Sequence, residues 1–145
     1  MRVDFYQLSR DPAEAALPLL ARKALAGGER LLVVSEDAAQ RRRISQALWA
    51  LGGESFLANG MAGEGSEDRQ PILLSEMPHP LNGARFLAIA DGVWRDAEMP
   101  FARTFFLFDD ATIQHARETW RMLRSREGVQ NHYWKQEGGR WVQAG

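Results

Sequence analysis

The chain contains no cysteine among its 145 residues. This absence excludes disulfide bridges, thiolate zinc sites and cysteine nucleophiles, and it fits a reducing cytoplasm. Long apolar segments are lacking too, since no run approaches the ~18 consecutive apolar residues of a transmembrane helix. Neither sign of charge is in excess, because 18 basic residues stand against 19 acidic ones. We therefore expect a cytoplasmic chain with no membrane segment and no strong overall attraction to nucleic-acid phosphates.

The composition is sufficient for one folded domain spanning residues 1–145. Hydrophobic residues make up 45% of the chain and aromatic residues 10%, which is enough for a single core. Residues 3–7 predict a first strand, and a helix should begin near Asp11 and Pro12, with Glu14 at the capping-box position. The apolar run at residues 31–34 is typical of a parallel strand covered on both faces. Together these elements predict a βαβ unit.

Further elements continue this alternation. Helices are predicted from about residue 37 to 51 and, after Asp109 and Asp110 as caps, to about residue 126. Strands are predicted at residues 55–57, 71–75, 85–90 and 104–108, and a hairpin at residues 131–143 around Gly138 and Gly139. Residues 59–68 predict an exposed loop. The order favours an α/β fold, a three-layer α/β/α sandwich with a largely parallel central sheet.

A glycine-rich stretch offers a phosphate-binding pattern that its neighbours contradict. Gly60, Gly63 and Gly65 are spaced like a phosphate-binding loop, but the Gly-Lys-Ser/Thr ending of a P-loop is missing. Glu64 and Glu67 place negative charge where a phosphate would lie. We therefore expect a plain exposed loop and no nucleotide cofactor.

Catalytic and metal-binding patterns are also missing from the sequence. His79, His115 and His132 are far apart, and none forms an i,i+4 pair with another ligand type. No Gly-x-Ser-x-Gly nucleophile elbow occurs. The adjacent carboxylates at residues 36–37 and 109–110 stand where helix N-termini favour acidic side chains. The sequence thus predicts no catalytic residue, no metal ligand and no cofactor.

One face of the last helix combines apolar and basic side chains. At about 100° per residue, five side chains fall within about a third of the helix circumference. They are Ile113, Arg117, Trp120, Arg121 and Arg124. Ala116, Met122 and Leu123 lie on the other side and can face the sheet, so the Trp120 indole is expected to be exposed.

This combination suits a ligand that is both apolar and anionic. Arginine binds carboxylates in a bidentate manner, while an indole ring supplies apolar contact. A short acidic peptide that ends in an aromatic residue meets both requirements. Single-stranded nucleic acid would also fit, through base stacking and phosphate contacts. A solvated basic stripe with an incidental aromatic residue is the alternative without a ligand.

Five short segments resemble, in order and spacing, the chi subunit family of bacterial DNA polymerase III. They are residues 3–6, 32–37, 46–49, 54–57 and 62–65. The resemblance spans nearly the whole chain and is weakest across residues 76–103. It implies a fold like a mononucleotide-binding domain without its nucleotide, and no catalytic role. It also implies that the C-terminal helix receives the acidic, phenylalanine-terminated tail of single-stranded-DNA-binding protein.

The resemblance implies seven residues for this tail contact. They are Arg117, Trp120, Arg121, Arg124, Phe106, Phe108 and Ile113. Trp120 replaces a more usual tyrosine, and Phe106 and Phe108 are expected to wall the pocket. Ile113 stands where a lysine is often found, so Arg124 is expected to supply the missing charge.

The resemblance implies a second surface, which contacts the psi subunit and through it the clamp loader. Its residues are Leu48, Trp49, Phe56 and Leu57. Burial of Trp49 in the core is the alternative, since this residue directly follows an apolar helical stripe. The chain also has Ala58 and Asn59 where a Pro-His pair often follows in the family.

The function predicted from the sequence is that of a cytoplasmic replisome adaptor that is not an enzyme. It would bind the tail of single-stranded-DNA-binding protein and psi or the clamp loader, and would reach DNA only indirectly. A direct single-stranded nucleic-acid-binding protein and an enzyme of unknown substrate are the alternatives.

Overall fold

The computed structural model describes residues 1–9, 11–51, 57–137 and 140–144. These residues form, in order, β1 (Arg2–Gln7), α1 (Ala13–Ala26), β2 (Leu31–Val34), α2 (Ala38–Trp49), β3 (Gly60–Met61), a 3₁₀ turn (Glu67–Arg69), β4 (Ile72–Ser75), β5 (Phe86–Ile89), β6 (Arg103–Phe108), α3 (Ile113–Arg124), β7 (Gln130–Glu137) and β8 (Arg140–Gln143). In this part of the chain, no helix is long and apolar enough to cross a membrane.

The strands form one sheet in the order β3-β4-β2-β5-β6-β1-β7-β8. Neighbouring strands are parallel except for β7 and β8, which pair antiparallel. All four residues of β2 are apolar and buried, which is the pattern of a parallel strand covered on both faces. The largely parallel central sheet predicted from the sequence is confirmed.

Helices cover the sheet on both sides. Leu17 of α1 and Ile44 of α2 are buried in one hydrophobic core, on one face of the sheet. Ala116 and Leu123 of α3 are buried in a second core on the opposite face, which also contains Phe5 of β1. The three-layer α/β/α arrangement is therefore confirmed, with α3 alone against its face among the three described helices.

The helix starts agree with the sequence prediction in α2 but not in the other two helices. The Asp37 carboxylate accepts hydrogen bonds from the amides of Ala39 at 2.9 Å and Gln40 at 3.3 Å, as an N-cap does. Asp11 does not cap α1, because Pro12 precedes the helix and the Asp11 carboxylate instead accepts from the Gln136 amide group at 3.0 Å.

The predicted cap of α3 is also wrong. The helix begins one turn later than expected, after Thr112, which makes no side-chain cap. The Asp109 carboxylate accepts from the Thr112 amide at 3.1 Å and so stabilises the turn before the helix. A cap is a local hydrogen bond, and here a competing turn of the same residues satisfies the carboxylate.

The predicted loop at residues 59–68 contains a short strand. Gly60 and Met61 pair in parallel with Leu73 and Leu74 of β4. The Gly60 backbone approaches the Gln70 side chain closely, and a Cβ at residue 60 would require that flexible side chain to move. The strand predicted at residues 55–57 falls largely outside the described residues, as do Gly138 and Gly139.

A buried carboxylate connects β7 to the centre of the sheet. Asp4 of β1 is fully buried and accepts hydrogen bonds from the Trp134 indole at 2.9 Å and from Arg103 at 2.7 Å. Burial raises the pKa of Asp4, but hydrogen bonds from Arg2, Trp134 and Arg103 outweigh burial and hold the pKa below its usual value. The ionised Asp4 therefore links β1 to β6 and to β7 at neutral pH.

Candidate functional site

One edge of α3, where the helix meets the sheet, borders a cavity of about 320 Å³. Its lining comes from three strands and one helix: Phe5, Phe108, Ile113, Ala116, Arg117, Trp120, Arg121 and Tyr133. Four of these side chains are aromatic and two are cationic. The cavity therefore offers an apolar interior with positive charge beside it, at the low end of the size range of small-ligand sites.

Trp120 is not the exposed side chain that the sequence predicts. Its indole is half-buried, with its ring centroid 5.0 Å from the Phe5 ring and 6.3 Å from the Tyr133 ring. Both contacts are edge-to-face, the favourable geometry for aromatic pairs. Helical periodicity places Trp120 beside the arginines, but β1 and β7 pass beneath that edge of the helix. The indole consequently packs against the core and also lines the cavity.

The side of α3 that packs on the sheet differs slightly from expectation. Ala116 and Leu123 are buried there as predicted, whereas Met122 is only partly buried. Thr119 is buried as well, which the apolar pattern does not reveal. Its hydroxyl donates to the His115 carbonyl at 2.9 Å, so burial leaves no unsatisfied donor.

The two phenylalanines of β6 have different positions. Phe108 lines the cavity, but Phe106 does not. Phe106 is fully buried below it, with its ring centroid 5.3 Å from Phe5 and 6.0 Å from Trp94. Phe106 therefore packs beneath the rings that line the cavity, and its part in the tail contact stays a prediction.

The basic residues also separate into two groups. Arg117 and Arg121 are exposed and line the cavity, while Arg124 is exposed but not part of the lining. Arg124 shares the face of Arg117 by angle, but seven residues place it about 10 Å further along the helix axis. Within the described part of the chain, Arg117 and Arg121 form no ion pair, so no carboxylate of that part occupies their guanidinium groups.

Two aromatic residues of the cavity were missed by sequence reasoning. Phe5 and Tyr133 lie 128 positions apart in the chain and meet only because β7 pairs with β1 in register, Phe5 opposite Tyr133. The Tyr133 hydroxyl donates to the Gln7 side-chain oxygen, which orients the ring. The adjacent aromatic residues of each strand, Phe5 with Tyr6 and Tyr133 with Trp134, were the available signal, but the pairing of the two strands could not be inferred.

The second predicted surface is divided between core and exterior. Leu48 is fully buried and so cannot contact a partner, because residues 44 and 48 form the inward stripe of α2. Trp49 is 48% exposed, because it follows Leu48 by one residue and so lies about 100° further around the helix, away from the core. Leu57 is partly buried and packs against the core, and Phe56 lies outside the described residues.

Trp49 borders a broad groove of about 750 Å³. The loop after β4 contributes two apolar side chains to it, Met77 at 49% and Leu81 at 57% exposure. Charged side chains of both signs border the same groove, Arg41 and Arg42 together with Glu64 and Glu76. Met77 and Leu81 were missed because isolated apolar residues in a proline-containing loop carry no periodic signal.

Carboxylates occupy the positions where this type of sheet would hold a nucleotide. A crevice of about 620 Å³ at the carboxyl ends of β1, β2 and β6 is bordered by Asp37, Asp91 and Asp109. Burial raises the pKa of Asp91, but hydrogen bonds and charge from Arg95 outweigh burial and lower it, so this group is ionised at neutral pH. A phosphate would therefore meet negative charge here.

A carboxylate of the glycine-rich loop occupies the backbone amides of that loop. The Glu67 carboxylate accepts from the Gly63 amide at 3.0 Å and from the Gly65 amide at 3.3 Å. Hydrogen bonds from its own backbone amide and from the Gly63 and Gly65 amides lower the pKa of Glu67. The amides that a phosphate would need are thus already bonded.

In the described ranges, no three His, Asp or Glu residues are grouped as metal ligands would be.

The amino-acid sequence of this chain matches a known protein family. The family model described as "DNA polymerase III chi subunit, HolC" matches residues 1–130. The chain is similar to DNA polymerase III subunit chi of Escherichia coli strain K12, with 30% identity over 111 residues, 72% of this chain and 74% of that protein. It is also similar to DNA polymerase III subunit chi of Pseudomonas aeruginosa, with 34% identity over 80 residues, 53% of this chain and 56% of that protein.

Proposed function

Because this chain belongs to the DNA polymerase III chi subunit family, we propose that it is a non-catalytic adaptor of the cytoplasmic replisome. It binds the acidic C-terminal tail of single-stranded-DNA-binding protein and links it to the clamp loader, through psi where psi is present. DNA is reached indirectly. The observation that carries the proposal is the cavity beside α3, where Arg117 and Arg121 stand next to four aromatic rings.

The cavity chemistry matches both parts of such a tail. A terminal phenylalanine side chain can enter the apolar interior between Phe108, Trp120 and Tyr133. Its carboxylate then lies at the level of the exposed Arg117 and Arg121, which can hold it by charge-assisted hydrogen bonds. Acidic residues earlier in the tail remain in solvent near the same positive charge, where each contributes little at physiological salt.

Direct binding of single-stranded nucleic acid is the competing function for this face. Stacking needs an open aromatic face, whereas the Trp120 ring is half-buried against Phe5 and Tyr133. The near balance of 18 basic and 19 acidic residues also provides no extended track for a phosphate backbone. Both observations favour the peptide.

Salt dependence separates the two functions. We expect the affinity for a tail peptide to fall modestly between roughly 50 and 200 mM salt, because few charges are engaged. A nucleic-acid site would instead lose affinity with a log–log slope of about −0.7 for each phosphate bound. Fluorescence anisotropy with a labelled peptide and a labelled oligothymidylate measures both. Tight oligonucleotide binding with a steep slope, and no peptide binding, would exclude the adaptor function of this pocket.

The clamp-loader side of the adaptor is assigned to the groove around Trp49. Since Leu48 is buried, the surface available to a partner consists of Trp49 together with Met77 and Leu81. Exposed apolar side chains of this size, grouped around one groove, are typical of a protein contact. Arg41 and Arg42 at the groove are balanced by Glu64 and Glu76, so the exposed apolar side chains, and not charge of one sign, define this contact.

Trp49→Ala should weaken association with the purified clamp loader, with or without psi, by about tenfold or more, since tryptophan is common among interface residues of large effect. Affinity for the tail peptide should not change. Leu19→Ala is the matched control, because Leu19 is an apolar side chain on α1 with 43% exposure, away from the groove. Surface plasmon resonance with immobilised protein measures both interactions. Unchanged clamp-loader affinity at unchanged melting temperature would refute this patch.

A further inference from the structure

The wall of the α3 cavity opposite the arginines comes from β7, beyond the part of the chain that the family model matches. That match ends at residue 130, the first residue of β7. Asn131 and Tyr133 follow on the strand face that meets α3. The Asn131 side-chain amide donates to the Trp120 carbonyl at 3.2 Å, and the Tyr133 ring centroid lies 6.3 Å from the Trp120 ring. One strand therefore contacts both the backbone and the side chain of Trp120.

The position of Tyr133 is fixed from several directions. β7 pairs with β1 over the whole length of β1, which sets the height of Tyr133 above the sheet. The Tyr133 hydroxyl donates to the Gln7 side chain, and the neighbouring Trp134 indole donates to the buried Asp4 at 2.9 Å on the other face. A side chain held in this way is preorganised, so it loses little conformational entropy when a ligand binds.

Among the four rings of the cavity, Tyr133 and Trp120 are only partly buried. Phe5 and Phe108 are only 1% and 4% exposed and can offer little more than the floor. The Tyr133 ring is inclined to the Phe108 and Trp120 rings by about 71° and 72°. A ligand ring placed between these two partly buried rings can meet them in edge or offset arrangements, which favour an aromatic guest over an aliphatic one.

We propose that Tyr133 is a specificity-determining residue, which makes this site select an aromatic C-terminal residue over an aliphatic residue of equal size. The inference rests on the proposed function and adds a role for β7. Its chemistry is an aromatic contact beyond simple burial, and such a pair corresponds to about a two- to tenfold difference in dissociation constant. Arg117 and Arg121 bind the terminal carboxylate whatever the side chain, so they cannot supply this preference.

The experiment is a double-mutant cycle between protein and peptide. Three acidic peptides differ only in the last residue, which is phenylalanine, cyclohexylalanine or leucine. Calorimetry gives their dissociation constants for the wild type, Tyr133→Leu, Tyr133→Phe and His132→Ala. His132 is the control because the next residue of a strand points to the opposite face. Ratios between peptides for one protein cancel any loss of active fraction.

The wild type should prefer phenylalanine over cyclohexylalanine by about two- to tenfold, and Tyr133→Leu should remove most of this preference. Tyr133→Phe should restore it, because the ring rather than the hydroxyl provides the contact. His132→Ala should match the wild type. An equal preference in the wild type and Tyr133→Leu, or none in the wild type, overturns the role of Tyr133 alone. If the wild type binds none of the peptides, the proposed function fails and this inference falls with it.

Discussion

Arg117→Ala and Arg121→Ala should each weaken the binding of an acidic, phenylalanine-terminated peptide by about ten- to a hundredfold. A charge-assisted hydrogen bond contributes ~1.5–3 kcal/mol, which corresponds to that range of dissociation constants. Both side chains line the cavity, and neither forms an ion pair in the described part of the protein. The ligand carboxylate therefore displaces no carboxylate of the described residues from them. Isothermal titration calorimetry on the purified variants measures the change.

Two further arginines provide the controls for this prediction. Arg42→Ala, on α2, should leave peptide affinity within about twofold of the wild type, because only long-range charge is lost. Arg124→Ala should weaken binding less than Arg117→Ala, since Arg124 is exposed on the same helix but outside the cavity lining. Equal losses for Arg117, Arg121 and Arg124 would show a diffuse charge effect in place of a defined pocket.

Trp120→Ala should lower both stability and peptide affinity. The indole is half-buried and lies 5.0 Å from the Phe5 ring, so its removal leaves a gap above the sheet. A fully buried aromatic-to-alanine change costs about 3–5 kcal/mol, and half-burial reduces this to about 2–3 kcal/mol of unfolding free energy. The affinity for the peptide should fall by about tenfold through lost apolar contact. Urea unfolding and calorimetry measure the two effects separately.

Trp120→Tyr separates the two roles of this residue. Tyrosine is the residue that the family resemblance implies at this position, and it keeps an aromatic ring against Phe5 and Tyr133. We expect this variant to retain most of the stability and most of the affinity. If Trp120→Ala proves as stable as the wild type, the indole is solvated as the sequence alone suggested, and the packing against Phe5 and Tyr133 is wrong.

The sequence predicts the layers well because their signals are local. The run of Leu31 to Val34 has no polar residue, so only a covered parallel strand suits it. The stripe of Ile44 and Leu48 directs α2 onto the sheet, and the same spacing could have shown that Leu48 is unavailable to a partner. Helix starts are less certain, because Asp11 and Asp109 each find a competing hydrogen bond.

Of the candidate site, the sequence predicts only the part that lies on α3. Arg117 and Arg121 follow from helical spacing, and the family resemblance indicates the same two residues. The burial of Trp120 depends on Phe5 and Tyr133, whose approach requires the order of the sheet. Strand order arises from contacts between distant parts of the chain, and no local pattern encodes it. The same reason explains why β7 was expected only as a hairpin and not as a wall of the cavity.

The carboxylate of the peptide is the most direct probe of the central proposal. The measurement is a calorimetric titration of the wild-type protein with two peptides of identical sequence, one with a free C-terminus and one with an amide. We expect the amidated peptide to bind about ten- to a hundredfold more weakly, because Arg117 and Arg121 lose their ionised partner. If both peptides bind with equal affinity, the arginines do not hold a terminal carboxylate and the proposed tail pocket on α3 is wrong.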